Sequence, residues 1–432
     1  MSSAKKPLVG FFPLSYNLAE TGRAVMIAKR YKELGGGVVF FSHGGEYEHL
    51  ARDLEYDIIR VKPHYNEESI DRFVRICRGD QRGLPYTETV LRELVRNEIE
   101  AYKKTEVDMI LTTHNYPCCI SAKAADIPLV CITTGPGSFH FSIPDNYENA
   151  VTRLIPQSVK ISVLNWFFPR SKRFLKPFNA VAREYNVKPF KYISDVDKGD
   201  VTLVTNFLDF INIFPNQRHF PAEDYIGIIL LDELFENNSS TEKTQALDNE
   251  IQTHLKKPGR SILLSMGSSG DKTLFLNILY ALDKTPYRVI AVYANNLKEN
   301  ELPELNDNIL LKKFVPSIEQ LHKMVDLAII HGGQGTVYTA AYAGKPVIGF
   351  PMQYEQHLHL EKMVGHGTGL MLSKKYFKQQ TMLTAINKIF DNYDHFLQHA
   401  KALAQKLPRP EGDKNAAKRL LEIARKNQNK VS

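Results

Sequence analysis

The sequence is poor in sulfur and nearly devoid of indole, with four cysteines and one tryptophan in 432 residues. Cys77, Cys118, Cys119 and Cys131 contain no CxxC pair. Neither a zinc knuckle nor a disulfide framework fits that spacing, so reduced thiols in a cytoplasmic protein are expected. No apolar run approaches the roughly 18 residues of a membrane-crossing helix. The opening, MSSAKKPLVGFFPL, lacks a long apolar stretch and a small-residue cleavage site, so no secretory leader is expected. Charge of one sign is scarce too: Lys+Arg 55 against Asp+Glu 48 leaves +7. That modest excess favours nucleotides, phosphates or acidic surfaces as partners, and no basic nucleic-acid-reading module is present.

What is present is an ordinary globular composition. Hydrophobic residues at 43% and charged residues at 24% exclude wholesale disorder, collagen and a pure coiled coil. At about 150 residues per domain, the length suggests two or three domains. Strand and helix patterns alternate. Leu8–Phe12 reads as a strand and Arg23–Leu34 as a helix stopped by Gly35, Gly36 and Gly37. Val38–Phe41 and Ile58–Val61 read as strands, and Glu88–Lys104 as a helix. Val107–Thr112, Pro128–Thr133, Asp200–Thr205 and Tyr225–Leu231 read as further strands. A polar break, Glu236–Gln245, suits a linker. The rhythm then restarts with Ser261–Ser265, Val289–Tyr293, Ile309–Lys313, Leu327–Ile330 and Pro346–Phe350 as strands and Phe275–Leu282 as a helix. Such alternation predicts an α/β protein of two Rossmann-like, doubly wound parallel-sheet domains in series. The expected boundaries are 1–232 and 259–410, with 233–258 as linker and a basic helix in 411–432.

The segment Asp326–Gln356 carries the chemistry: DLAIIHGGQGTVYTAAYAGKPVIGFPMQYEQ. A strand ends at Ile330, and His331, Gly332, Gly333, Gln334 and Gly335 lead into a helix near Thr336. Glycines at a strand-to-helix turn let backbone approach an anion, and the helix N-terminus favours negative charge. His331 and Thr336 can add hydrogen bonds, so the turn reads as a diphosphate site. The competing reading is a tight turn that needs glycines, with His331 incidental. The turn is neither GxGxxG nor a P-loop.

HGGQGT followed by AAYAGKPVIGFPMQYEQ resembles the donor-binding signature of family 1, UGT-like glycosyltransferases, especially bacterial and archaeal members. SMGSS (Ser265–Ser269), KFVPSIEQ (Lys313–Gln320) and YIGII (Tyr225–Ile229) resemble further family segments, as do the first forty residues. The resemblance implies the GT-B fold, two such domains facing across a cleft. The first would bind the acceptor and the second the nucleotide sugar, with the last helix crossing back to the first. It implies a hexosyltransferase that moves a sugar with inversion from a nucleoside-diphosphate sugar, UDP-linked, to a hydroxyl of a lipid or other apolar small molecule. No cofactor or metal is implied, the nucleotide sugar being a co-substrate. By the resemblance, His331, Gly333, Gly335, Thr336 and Ser268 lie near the diphosphate. Phe314 stacks on the base, Val315 offers backbone groups to it, and Glu355 and Gln356 hold sugar hydroxyls. Ser317 and Thr339 depart from the plant pattern. Two rival readings are a sugar-nucleotide epimerase or hydrolase of the same fold and a non-catalytic sugar-nucleotide-binding protein.

Inverting transfer needs a group to take the acceptor hydroxyl's proton. The resemblance places Glu20 there, where many members have a His. An ordinary carboxyl, near 4.3, is a weak base unless burial raises it. The plainer reading is that Glu20 or Thr21 caps the first helix. His43 and His114 are the backup bases, with Asn115 or Asp126 as orienting partners. Asp195-Val196-Asp197 reads as a chance DxD. His357, His359 and Glu361 do not share a helix face in a metal-binding pattern and read as solvated or acceptor-facing. The aromatic and basic stretch 160–178 has two readings. Trp166, Phe167, Phe168 and Phe174 insert at an anionic membrane while Arg170, Lys172, Arg173 and Lys176 meet headgroups, or the stretch walls the acceptor pocket. Pro169 and Pro177 interrupt the helix and favour the pocket wall. The first of these readings would add contact with the inner membrane face to a cytoplasmic location.

Overall fold

Val9 pairs with Val38 on one side and Met109 on the other, in parallel, and a sheet grows outward from that centre. The computed structural model describes residues 6–78, 81–134, 155–156, 159, 170, 172–211, 220–231, 233–234, 249–267, 270–294, 296–315 and 318–431. The first sheet contains β1 (Leu8–Pro13), β2 (Gly37–Ser42), β3 (Ile58–Arg60), β4 (Met109–Thr113), β5 (Leu129–Thr133) and β6 (Val201–Val204). Its order is β3-β2-β1-β4-β5-β6. The second contains β7 (Ser261–Ser265), β8 (Arg288–Val292), β9 (Ile309–Lys312), β10 (Leu327–Ile330), β11 (Val347–Gly349) and β12 (Gly369–Met371). Its order is β12-β11-β10-β7-β8-β9. Both are parallel throughout and covered by helices, as the alternation implies. Among the described residues no helix is long and apolar enough to cross a membrane.

The first helix runs Leu18–Glu33, five residues earlier than its apolar spacing suggests. Asn17 caps it, its Oδ1 accepting from the N–H groups of Ala19 at 2.9 Å and Glu20 at 3.3 Å. Glu20 and Thr21 therefore do not cap the helix, and the Glu20 carboxylate is available for other contacts. Gly22 permits the approach of Leu231, whose Cδ1 would lie 2.7 Å from a Cβ at that position.

Tyr225–Leu231 is not a strand. Only Tyr225 bridges to Val204. Gly227 turns left-handed at φ 83°, and the start of the C-terminal helix takes the neighbouring carbonyls. Gly412 N–H donates to Ile228 O at 3.0 Å and Asn415 Nδ2 to Ile226 O at 2.9 Å. That helix, Gly412–Val431, packs Ala416, Ala417 and Leu420 into the core that holds Ala24, Val25 and Ala28 of the first helix. Burying Leu420 alone contributes roughly 2 kcal/mol. Arg30 Nε pairs with Asp413 at 2.7 Å and fastens the same contact. The polar break at 236–245 lies outside the described residues, and 249–256 of the expected linker forms a helix.

The two halves share buried surface. Val204, Phe210, Ile211 and Ile228 belong to one hydrophobic cluster with Tyr338, Leu358 and Leu360.

Candidate active site

Each sheet has one place where the chain leaves in opposite directions from two adjacent strands, and the strands' carboxyl ends open a crevice there. In the second sheet it lies between β7 and β10, where Ser265 and Ile330 are register partners. Gly267 follows β7, and His331, Gly332 and Gly333 follow β10. The buried imidazole of His331 fills the gap between the two turns. A Cβ on Gly267 would lie 2.5 Å from its Cε1, and one on Gly333 2.4 Å from its Nε2, so neither position accepts a side chain.

Gly333 caps the helix Gln334–Ala343, two residues before the start read from the sequence. Gly335, in its first turn, faces open space, with nothing within 4 Å of an added Cβ. Open space and the positive end of the helix dipole coincide there, and the Gln334 N–H donates to the Glu355 carboxylate. Thr336 Oγ1 donates to Gly333 O at 2.9 Å, and Thr339 Oγ1 to Gly335 O at 2.7 Å. Phe314, just past β9 on the same sheet edge, is 51% exposed, while Val315 turns inward at 4%. Ser268 and Ser317 lie outside the described residues. Gln356 is buried, with its Oε1 accepting from Met352 N–H at 2.8 Å. Glu355 opens toward the other sheet. Burial raises its pKa, Arg23 opposes the rise and the Glu20 carboxylate adds to it.

In the first sheet the crevice lies between β1 and β4. Glu20 stands after β1 and His114 directly after β4. His114 has φ 58°, the left-handed region that a non-glycine residue seldom occupies. Its Nδ1 lies 3.1 Å from Glu20 Oε2, and its Nε2 3.5 Å from Asp197 Oδ2. Arg23 Nη1 donates to Glu20 Oε1 at 2.8 Å, and Thr133 Oγ1 to Asp197 Oδ2 at 2.8 Å. Burial alone would raise the Glu20 carboxyl, but the charges of Arg23 and His114 outweigh it and hold the pKa at about 2. Burial opposes protonation of His114, but Asp197 and Glu20 raise it to about 10. Burial raises Asp197 despite the His114 charge. At neutral pH the cluster is therefore a carboxylate–imidazolium–carboxylate chain.

Burial does not make Glu20 the stronger base that the sequence argument required. Asp197, read as a chance acid, belongs to the cluster because β6 pairs with β5 and carries the preceding turn to His114. The other half of the DxD, Asp195, accepts the backbone N–H groups of Lys191 and Tyr192 at 2.9 and 2.8 Å. Among the described residues no group of three or more His, Cys, Asp or Glu has the geometry to hold a metal. His43 is occupied elsewhere. Its Nδ1 lies 3.0 Å from Val61 O and its Nε2 3.0 Å from Glu98 Oε1, all buried. Asn115 Nδ2 donates to the same Glu98 oxygen at 3.2 Å, and Asp126 is exposed in the turn before β5. His357 and His359 are buried rather than solvated, because their helix, Tyr354–Gly365, packs on the segment around Phe210. His359 is held neutral, its pKa lowered to about 3 by burial and by Arg23.

The two crevices meet. Thr205 Oγ1, after β6, donates to Gln334 Oε1 at 3.1 Å, and Tyr338 OH to Asn206 Oδ1 at 2.9 Å. Glu355 interacts electrostatically with Glu20, Arg23 and His114 across the same gap. Residues 276–423 match the family profile of the erythromycin biosynthesis protein CIII-like C-terminal domain. A PGL/p-HBAD biosynthesis glycosyltransferase of Mycobacterium tuberculosis is 23% identical over 349 residues, 79% of this chain and 77% of that protein. A PGL/p-HBAD biosynthesis rhamnosyltransferase of Mycobacterium bovis is 24% identical over 323 residues, 73% of this chain and 67% of that one. The solved kitacinnamycin glycotransferase superposes with TM-score 0.65 at 15% identity, covering 97% of this chain and 99% of its own. Glycosyltransferase VinC, solved in complex with DTDP, gives 0.64 at 14%, covering 97% and 100%. The chain has the fold of the GT-B glycosyltransferases. In this protein the glycine turn and the charged cluster occupy the switch-point crevices of the two sheets.

Proposed function

We propose that this protein is a glycosyltransferase that moves a hexosyl group, with inversion, from a UDP-linked sugar to a hydroxyl of a lipid or other apolar small molecule. The observation that supports this reading most strongly is the juxtaposition of Glu355, beside the glycine turn, with Glu20 and His114 of the other half. A diphosphate at Gly333–Thr336 would gain charge as its bond to the anomeric carbon breaks. The amides of the first helical turn and His331 would stabilise that charge, which lowers the barrier only if they are fixed beforehand. Phe314 offers a ring face to the base, and Glu355 and Gln356 stand on the side of the turn where the sugar would lie.

The acceptor oxygen attacks the anomeric carbon from the opposite side. Glu20 Oε2 takes its proton, while His114 Nε2 passes its own proton toward Asp197. That second transfer removes the positive charge which otherwise makes Glu20 a weak base. One proton enters the cluster, and the departing diphosphate carries away the bonding pair. The solved relative named above holds DTDP, and thymine and uracil present similar ring faces, so the donor base is an experimental comparison. Calorimetry with UDP and dTDP, followed by turnover with the matching sugars, tests the reading. Binding of UDP with turnover only when an acceptor is present is expected. UDP-sugar hydrolysis or epimerisation without acceptor would overturn it.

A further inference from the structure

The helix Lys172–Glu184 divides its surface sharply. Leu175, Phe178 and Val181 are buried in one cluster with Leu91 and Leu94 of the Glu88–Thr105 helix. The Phe174 and Phe178 rings stack at 5.7 Å on that inner side. Phe174 is half-buried against that cluster, and Trp166, Phe167 and Phe168 lie outside the described residues.

On another face a groove of about 820 Å³ is lined by Lys172, Lys176 and Arg183, with Arg170, Lys191 and Tyr192 across it. Lys172, Lys176 and Arg183 follow one another along one helical stripe. Among the described residues no ion pair engages Lys172, Lys176, Arg183 or Lys191, whereas Arg30, Arg60, Arg92 and Arg419 are each paired with an acid. Among the described residues Glu88 is the one acid in the lining. Arg170 lies 5.2 Å from the centre of the Tyr192 ring, which is itself 38% exposed. Unneutralised cations concentrated on one open concave face repel one another, and an anionic partner relieves that repulsion.

We propose that this groove binds the phosphate headgroups of an anionic lipid surface and holds the glycosyltransferase peripherally on it. The contact is electrostatic, since cations line the groove and the Phe178 ring is buried. Each cation near such a surface strengthens binding about fivefold, so three acting together give on the order of a hundredfold. The effect fades over a Debye length and is lost in high salt.

The test uses full-length protein in flotation with vesicles of phosphatidylcholine alone and with about one third phosphatidylglycerol, a strongly anionic composition. Floating with the anionic vesicles alone is expected, with release in about 0.5 M salt, where screening is nearly complete. A triple variant, Lys172→Glu, Lys176→Glu and Arg183→Glu, should partition about a hundredfold less. Its melting temperature and UDP binding should be unchanged, which separates this outcome from failure of the donor reading. Equal partition of variant and wild type, or no flotation of wild type, overturns the proposal. So does release of wild type by a few millimolar inorganic phosphate at constant ionic strength, which would mark a site for a soluble anion.

Discussion

The imidazole of His114 joins two carboxylates from distant parts of the chain, its Nδ1 3.1 Å from Glu20 Oε2 and its Nε2 3.5 Å from Asp197. A residue in left-handed backbone at the end of a central strand thus sets the charge of the first sheet's crevice.

Replacement of Glu20 tests the proton-transfer assignment. Glu20→Gln preserves shape, keeps one acceptor oxygen and removes the charge. Transfer should slow by about a hundredfold or more, the usual size of general-base catalysis. Donor affinity by calorimetry should hold. A variant as fast as wild type contradicts the role.

Asp197→Asn should act through His114 and not through the donor. Losing that carboxylate removes the largest favourable influence on the imidazolium, so the His114 pKa falls from about 10. The pH at which the rate responds to His114 ionisation should move lower, with kcat at neutral pH changed and donor affinity unchanged. An unshifted pH profile would show Asp197 to be structural only.

His114 also links pH to stability. Its pKa is raised from 6.5 to about 10, so its contribution is full below 6.5 and lost as pH rises through 10. Glu20 works in the opposite sense, its contribution being present above 4.5 and lost as pH falls toward 2. Chemical denaturation of wild type and His114→Gln should show a stability gap of a few kcal/mol, order of magnitude, that closes between pH 6.5 and 10. A gap independent of pH would contradict the charged state assigned to His114.

The glycine turn makes two substitutions equivalent. His331→Ala removes a polar contact to phosphate, and Gly333→Ala places a Cβ 2.4 Å from His331 Nε2 and displaces the ring. Each should weaken UDP binding about tenfold, the scale of one hydrogen bond to a charged group. Unchanged affinity in the histidine variant would make the imidazole incidental to the turn.

The glycine turn and the alternating strands were legible because each is local: a buried strand, a helix period and the glycines between them fall within about a dozen residues. Asp197 was not legible. It reaches His114 only because β6 lies beside β5, and no spacing in the chain announces that neighbour. Tyr225–Leu231 misled for a related reason, since apolar alternation marks burial in a sheet or against a helix equally well. The buried His357 and His359 look polar in sequence, yet their helix is pressed against the segment around Phe210. Long-range packing decides each of these cases.

A crystal structure of the protein soaked with UDP addresses the donor site most directly. The diphosphate is predicted to lie within hydrogen-bonding distance of the amides of Gly333–Thr336 and of His331, in the crevice between β7 and β10. A nucleotide bound elsewhere, with that turn left vacant, would contradict the assignment.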